Sequence, residues 1–468
     1  MFSKFRHGHL LGNAALALAL AVAGTGVAAP AHAADKKKEA AAPKMNFSKP
    51  FVAAAQPLEK AIEASKTRAD VVAARAALDA ANAAYNNARG SAARQAAMAQ
   101  RTAALTQLGT ALTPEKTMLE AAFAAAGNDD DKYLWGSLAA RVGVVAQDLA
   151  LIRRGYETSL ATNKYAPADV PKVQAAVGRI CFDQGDVACV RTQLGAAIAA
   201  GEHGDRNELL LADTYFKAND IPGGTDVLLK GIAARKAANA TYGPEWYGTG
   251  LNAAFKAKAL PQSAAISQAM VIDFPTPENW RSAIRVIRYL AGYQPQEMLD
   301  LLRLMKRTNT FEDTPDYTEY VDIADKLRFP AEIIEVVAAG QAAAKLDAGD
   351  PFVRDALAGA KLHEKEDNAG MAAMEARARS ATATPAVIQA AADVLLSYGQ
   401  SAKAEELLNL ALTKPGLDAQ RLLTRVGIAQ FDQGKYADAQ ATFSKVTGPR
   451  QPMAQLWALY AAQKAKGG

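Results

Sequence analysis

GIAQFDQGKYADAQATF, residues 427–443, sets the reading of the whole chain. A small residue, Gly427, is followed twelve positions later by another, Ala439, and four after that by a large apolar one, Phe443. Between them Phe431-Asp432-Gln433-Gly434 places an aromatic residue, two polar ones and a glycine where a helix would end and reverse. Glycine takes left-handed backbone at little cost, so it is a natural stop between two helices. Two small residues facing each other let the helices approach closely, and the large one fills the gap toward the next pair. The same four letters recur at Phe182–Gly185, which raises the question of an active-site fragment written twice. The spacing around them favours a turn that the architecture needs repeatedly.

The small-small-large spacing appears again as Ala392, Ala404, Leu408 and as Ala212, Gly224, Leu228. With Val190 in the middle place it appears as Gly178, Val190, Leu194. Neighbouring copies are 34 residues apart from Gly178 to Ala212 and 35 from Ala392 to Gly427. Trp246 and Trp280 are also 34 apart, as are Pro351 and Pro385, which suggests one divergent repeat between the two prolines. Apolar residues recur at three and four over most of the chain and period-two strand patterns are almost absent, so an all-α protein is expected.

Gly427, Phe431, Gly434, Tyr436, Ala439 and Phe443 closely resemble the signature of the tetratricopeptide repeat family. The resemblance is strong over residues 165–235 and 385–468 and weaker over 240–384. It implies an α-solenoid of stacked antiparallel helix hairpins in a right-handed superhelix, each hairpin covered by its neighbour. The expected organisation is an Ala-rich helical region at 47–127, divergent repeats at 128–384, and C-terminal repeats at 385–468 closed by a helix at Trp457–Ala465. Within 128–384 a helix pair is expected around Leu134–Val145 and Gln147–Leu160.

Residues 1–33 read as a cleaved export signal: Lys4 and Arg6, then an apolar Ala/Leu/Gly run, then Ala31-His32-Ala33. Residues 34–46, with Lys36, Lys37 and Lys38, read as a flexible charged leader. Cleavage would leave 435 residues and lower the net charge from +5 to +3, which argues against nucleic acid as a partner. No later stretch is apolar enough to span a membrane. The expected location is the periplasm, with the extracellular space as the alternative.

Beyond the signal only His203 and His363 remain, 160 residues apart, and no P-loop, G-x-S-x-G or H-E-x-x-H occurs. No enzyme, cofactor or metal is expected. Asn128-Asp129-Asp130-Asp131 lacks the alternation of a calcium loop and reads instead as a helix start. Cys181 and Cys189, the two cysteines, straddle the turn by family position. In an exported protein an even pair suggests a disulfide, and two free thiols are the alternative.

For binding, Arg281, Arg285 and Arg288 share one helix face at i, i+4, i+7. The resemblance places that face on the family's inner ligand surface, where guanidinium groups would favour an acidic peptide or chain terminus. The bland alternative is a solvated face paired with nearby acids. The same register projects Arg179, Asp183, Asp213, Phe216, Lys217, Asp393, Phe431 and Asp432 onto that surface. The resemblance thus implies a non-catalytic scaffold for a protein or peptide, and the export signal would place it in the cell envelope. A glycan hydrolase using carboxylates such as Glu120, Glu157 or Glu245 is the enzymatic rival, and a structural subunit assembled through the N-terminal region is a third reading.

Overall fold

The computed structural model describes residues 45–204 and 206–467. Residues 1–33, read above as an export signal, and most of 34–46, read as a charged leader, lie outside them. Among the described residues the chain forms 22 α-helices and no strand. It divides into two compact units, Met1–Thr214 and Tyr215–Gly468.

The first unit opens with α1 (Lys49–Ser65), α2 (Ala69–Asn87), α3 (Ser91–Ala111) and α4 (Thr113–Ala124). Here α1 does not pair with its neighbour in sequence: it packs on α4 and α5 (Asp129–Ala146), while α2 and α3 form a hairpin of their own. Phe51, Leu58 and Ile62 of α1 meet Leu119, Ala122 and Trp135 in one core, and Val71, Ala74 and Leu78 meet Ala104, Leu108 and Val145 in another. The acidic run is a helix start, as expected. Asn128 caps α5 by accepting from the Asp131 N–H at 2.9 Å, and the Asp131 carboxylate accepts from the Ser48 N–H and hydroxyl at 2.9 and 2.6 Å.

From α5 onward regular hairpins follow: α5 with α6 (Leu149–Ala161), then α7 (Val170–Gln184) with α8 (Val187–Ala199), then α9 (Asn207–Lys217), which crosses into the second unit. Gly136 and Gly155 bring α5 and α6 into backbone contact, since a Cβ on Gly136 would lie 2.0 Å from Ser159 Oγ and 2.3 Å from the Gly155 carbonyl. The same logic operates in the motifs read from sequence. A Cβ on Gly178 or Gly427 would come within 2.6 Å of Leu194 or Phe443 respectively. Cys181 and Cys189 form a disulfide joining α7 to α8, with Cα atoms 5.9 Å apart.

The second unit continues with α10 (Ile221–Ala237), α11 (Pro244–Lys256), α12 (Leu260–Asp273), α13 (Pro277–Leu290), α14 (Pro295–Arg307), α15 (Thr314–Ala324) and α16 (Pro330–Ala342). One helix, α17 (Pro351–Ala378), runs for 28 residues where the proline spacing suggested a hairpin. Both prolines do open helices, Pro351 at α17 and Pro385 at α18 (Pro385–Ser397), because proline suits the first helical turn. No left-handed residue interrupts residues 351–378, where the helix runs unbroken. The unit ends with α19 (Ser401–Leu412), α20 (Ala419–Asp432), α21 (Tyr436–Phe443) and α22 (Gln451–Ala465).

The turns inside the hairpins share a conformation more than a residue type. Gly185, Gly292, Gly399 and Gly434 take positive φ there, but so do Gln147, Asn219, Lys258 and Asp325. In three of these turns an aspartate follows and caps the next helix: Asp148 accepts from Leu151 N, Asp186 from Cys189 N and Asp220 from Gly223 N.

Candidate protein-interaction surfaces

Arg281, Arg285 and Arg288 do share one face of α13, and that face meets a second triad with the same spacing. Glu312, Asp316 and Glu319 stand 31 residues later, again at i, i+4, i+7. Arg281 reaches Glu312 at 3.3 Å and donates to the Thr310 carbonyl at 3.0 Å. Arg285 lies 3.0 Å from Glu312 and 3.5 Å from both Asp313 and Asp316. Arg288 holds Asp316 at 2.6 Å and also pairs with Glu319. Burial would raise the Asp316 carboxyl, but the Glu312 N–H, Arg288 and Arg285 outweigh it and hold the group below its usual range. The arginines therefore tie α13 to the start of the next hairpin. The acid triad is the signal that a search confined to one helix misses.

The other projected residues do not converge. Arg179 donates to Asn207 Oδ1 at 3.0 Å, and Asp183 lies on the exposed last turn of α7. Asp213 and Lys217 sit on α9. Phe216 lies against Gly224 and Gly250, and Asp393 pairs with Arg425 and with Arg421, the latter at 3.1 Å. Asp432 is held by Arg307, with Nε to Oδ1 at 2.6 Å, and Phe431 sits among Tyr436, Trp457 and Tyr460. Of the acids of the enzymatic rival, Glu120 pairs with Arg154 and Glu157 with Arg153, while Glu245 stands in the first turn of α11.

Within the second unit, the C-terminal helices occupy the face of α12–α14. Trp457 of α22 is fully buried and its indole N–H donates to the Asp300 carbonyl at 3.0 Å. The Gln463 side chain accepts from Trp280 Nε1 at 3.1 Å and donates to the Val271 carbonyl at 2.8 Å. Tyr460 donates to the Arg307 carbonyl at 2.6 Å. Helix α14 is consequently buried on all sides from Met298 to Met305, although it carries Asp300 and Arg303.

Those charges pair within a buried cluster. The Asp300 carboxylate accepts from Arg303 at 2.9 Å, Arg450 at 2.9 Å and Arg425 at 3.3 Å. Burial alone would push Asp300 up, but Arg425, Arg303 and Arg450 hold it below the ordinary carboxylate range. Glu332 is likewise raised by burial and brought down further by Arg303 and the Tyr320 hydroxyl. A charge set this deep persists only when each member has partners.

In the first unit a trough runs along the α2–α3 hairpin, with space of about 920 Å³ at one end and about 450 Å³ further along; Ala103 and Gln107 line both parts. Ala73, Ala77, Ala80, Thr106 and Thr110 complete most of the wall, and Arg68 and Asp70 stand at the wider end. Alanine walls keep side chains short enough for another backbone to come close. Neither part of the trough holds a pair of carboxylates. No signal in the sequence marked this surface, beyond the high alanine content.

Successive helix hairpins, many of them closed by left-handed residues, make each unit an all-α helical-hairpin array. No family model matches it, and no curated protein matches it by sequence. Among solved structures it is similar to the TPR domain of P58(IPK), at 10% identity and TM-score 0.20, covering 72% of this chain and 98% of that one. It is also similar to the maize pentatricopeptide repeat protein PPR10, at 14% identity and TM-score 0.27, over 77% and 52% of the two chains. A third is the Naa15/Naa10 complex bound to HypK-THB, at 11% identity and TM-score 0.23, over 89% and 73%. No helix among the described residues is long and apolar enough to cross a membrane.

Proposed function

We propose that this protein is a non-catalytic scaffold of the cell envelope that holds a protein partner, and that the partner docks on the α2–α3 hairpin. The open alanine-walled trough carries this reading. The alternatives are engaged within the chain: the arginine row is tied to its own acids, and the face of α12–α14 is covered by α20 and α22. Location in the periplasm is supported by the signal-like N-terminus and by the Cys181–Cys189 disulfide, which suits an oxidising compartment.

The test is co-purification from envelope extracts with three forms of the full chain. Ala77→Glu together with Ala103→Glu places charge on exposed alanines of the trough and should release partners captured by the unaltered protein. Arg281→Ala, Arg285→Ala and Arg288→Ala together should retain them. The opposite pattern would return the site to the arginine row.

A further inference from the structure

In the first unit Arg141, Arg153 and Arg154 each hold a glutamate, at 2.6, 2.7 and 2.6 Å. The arginines at the far end of the α2–α3 hairpin do not. Arg89 and Arg94 have no ion-pair or hydrogen-bond partner among the described residues, and Arg101 donates to the neutral Asn82 Oδ1 at 2.9 Å. No acid is at hand along the chain, because the 35 residues between Asp79 and Glu115 contain neither Asp nor Glu. We propose, on the reading that a partner docks on this hairpin, that its far end recognises an acidic helix of a partner protein, one with carboxylates seven residues apart on either side of an apolar residue.

Arg94, Met98 and Arg101 stand at i, i+4, i+7 on α3 and so share one face. Met98 is 53% exposed between the two arginines. From Asn82 to Ala96 no residue is buried, so this end of the hairpin stands clear of the other described helices. Gly90, with φ at 88°, reverses the chain here and keeps Arg89 at the same end.

The second unit shows what such a row takes. Arg281, Arg285 and Arg288 have the same spacing on α13 and are met by Glu312, Asp316 and Glu319, spaced alike. The row on α3 has no such counterpart among the described residues. A second helix with carboxylates at i and i+7 pairs with Arg94 and Arg101, whose planar forks match carboxylate geometry, and lays the residue between them on Met98. Arg89 adds positive charge at the tip, which steers an acidic partner toward it. An anionic bilayer offers the same charge, but residues 82–101 contain no Trp, Phe, Leu or Ile with which to enter it. The protein helix is the occupant this surface fits.

Fluorescence anisotropy with the full purified chain tests this, using a labelled alanine-based helical peptide that carries two glutamates seven residues apart and a leucine midway. The peptide should bind, and its glutamine counterpart should bind about tenfold more weakly or worse. Arg94→Glu combined with Arg101→Glu should cost the glutamate peptide a similar factor, by setting like charges opposite one another, while leaving the melting temperature unchanged. Equal binding of the two peptides to the unaltered protein, or unchanged affinity in the double variant, would overturn the acidic assignment. Binding to phosphatidylglycerol vesicles with none to the peptide would overturn it as well. Co-purification separates this from the trough: partners lost from the Ala77→Glu, Ala103→Glu form but kept by the Arg94→Glu, Arg101→Glu form would leave the trough as the site and strike the arginine row. Partners kept by the first form and lost from the second would remove the trough and leave the row standing.

Discussion

The indole N–H of Trp457 donates to the backbone carbonyl of Asp300 at 3.0 Å, across 157 residues of chain. One side of Asp300 thus receives α22 through its backbone, and the other gathers Arg303, Arg425 and Arg450 through its carboxylate. The two residues fix the end of the chain to the middle of the second unit.

Trp457→Ala should therefore destabilise the protein by about 3–5 kcal/mol, the cost of emptying a large aromatic site in a packed core. Phe443, stacked on Trp457 with ring centroids 5.5 Å apart, loses its cover at the same time. Denaturant unfolding of the variant measures the loss, and an unchanged midpoint would remove α22 from the core.

Asp300→Ala leaves three buried guanidinium groups short of a partner, and a broken buried pair costs about 3–5 kcal/mol. The pH dependence has a definite sign. Asp300 and Glu332 are both held below their ordinary carboxylate values. Their contribution is complete above about pH 4, where unfolded Asp and Glu titrate, and is lost as pH falls through the depressed folded values. Denaturant midpoints should drop between neutral and strongly acidic pH, and Asp300→Asn should show a shallower drop than the unaltered protein.

Gly185 and Gly434 separate backbone strain from crowding. Both have left-handed φ, 76° and 74°, and a Cβ on either meets nothing within 4 Å. Valine at either should cost about 1–2 kcal/mol through strain alone, whereas asparagine, which Asn219 shows to be acceptable in the equivalent turn, should cost much less. Equal thermal shifts for the two substitutions would contradict this account.

Gly136→Ala should cost more than its size suggests, because the added carbon meets Ser159 Oγ and the Gly155 carbonyl. Backbone cannot yield as a side chain can, so about 1–3 kcal/mol is expected for the overpacked contact. Gly195→Ala is the control, with nothing near the new carbon. Thermal melts of the pair decide it.

Much of the repeat was legible because glycine marks some turns and proline marks helix starts. Gly185 and Gly434 identified hairpins correctly, but Gln147, Lys258 and Asp325 perform the same left-handed turn without a compositional sign. Proline spacing misled at 351–385, since a helix start says nothing about whether the chain reverses further on. The arginine face was visible, while its matching acids lay one hairpin away. The association of α1 with α4, and of α22 with α12–α14, joins residues too distant for any local pattern to specify.

The seating of α22 against α12–α14 sets a timetable for synthesis. The earlier helices of the second unit are produced well before residues 451–465, and until those emerge Trp280 and Asp300 have no Trp457 or Gln463 to meet. Maturation of this half must wait for nearly its last turn of helix, and a chain halted before it would present an unfinished apolar seam to whatever quality-control machinery surveys it.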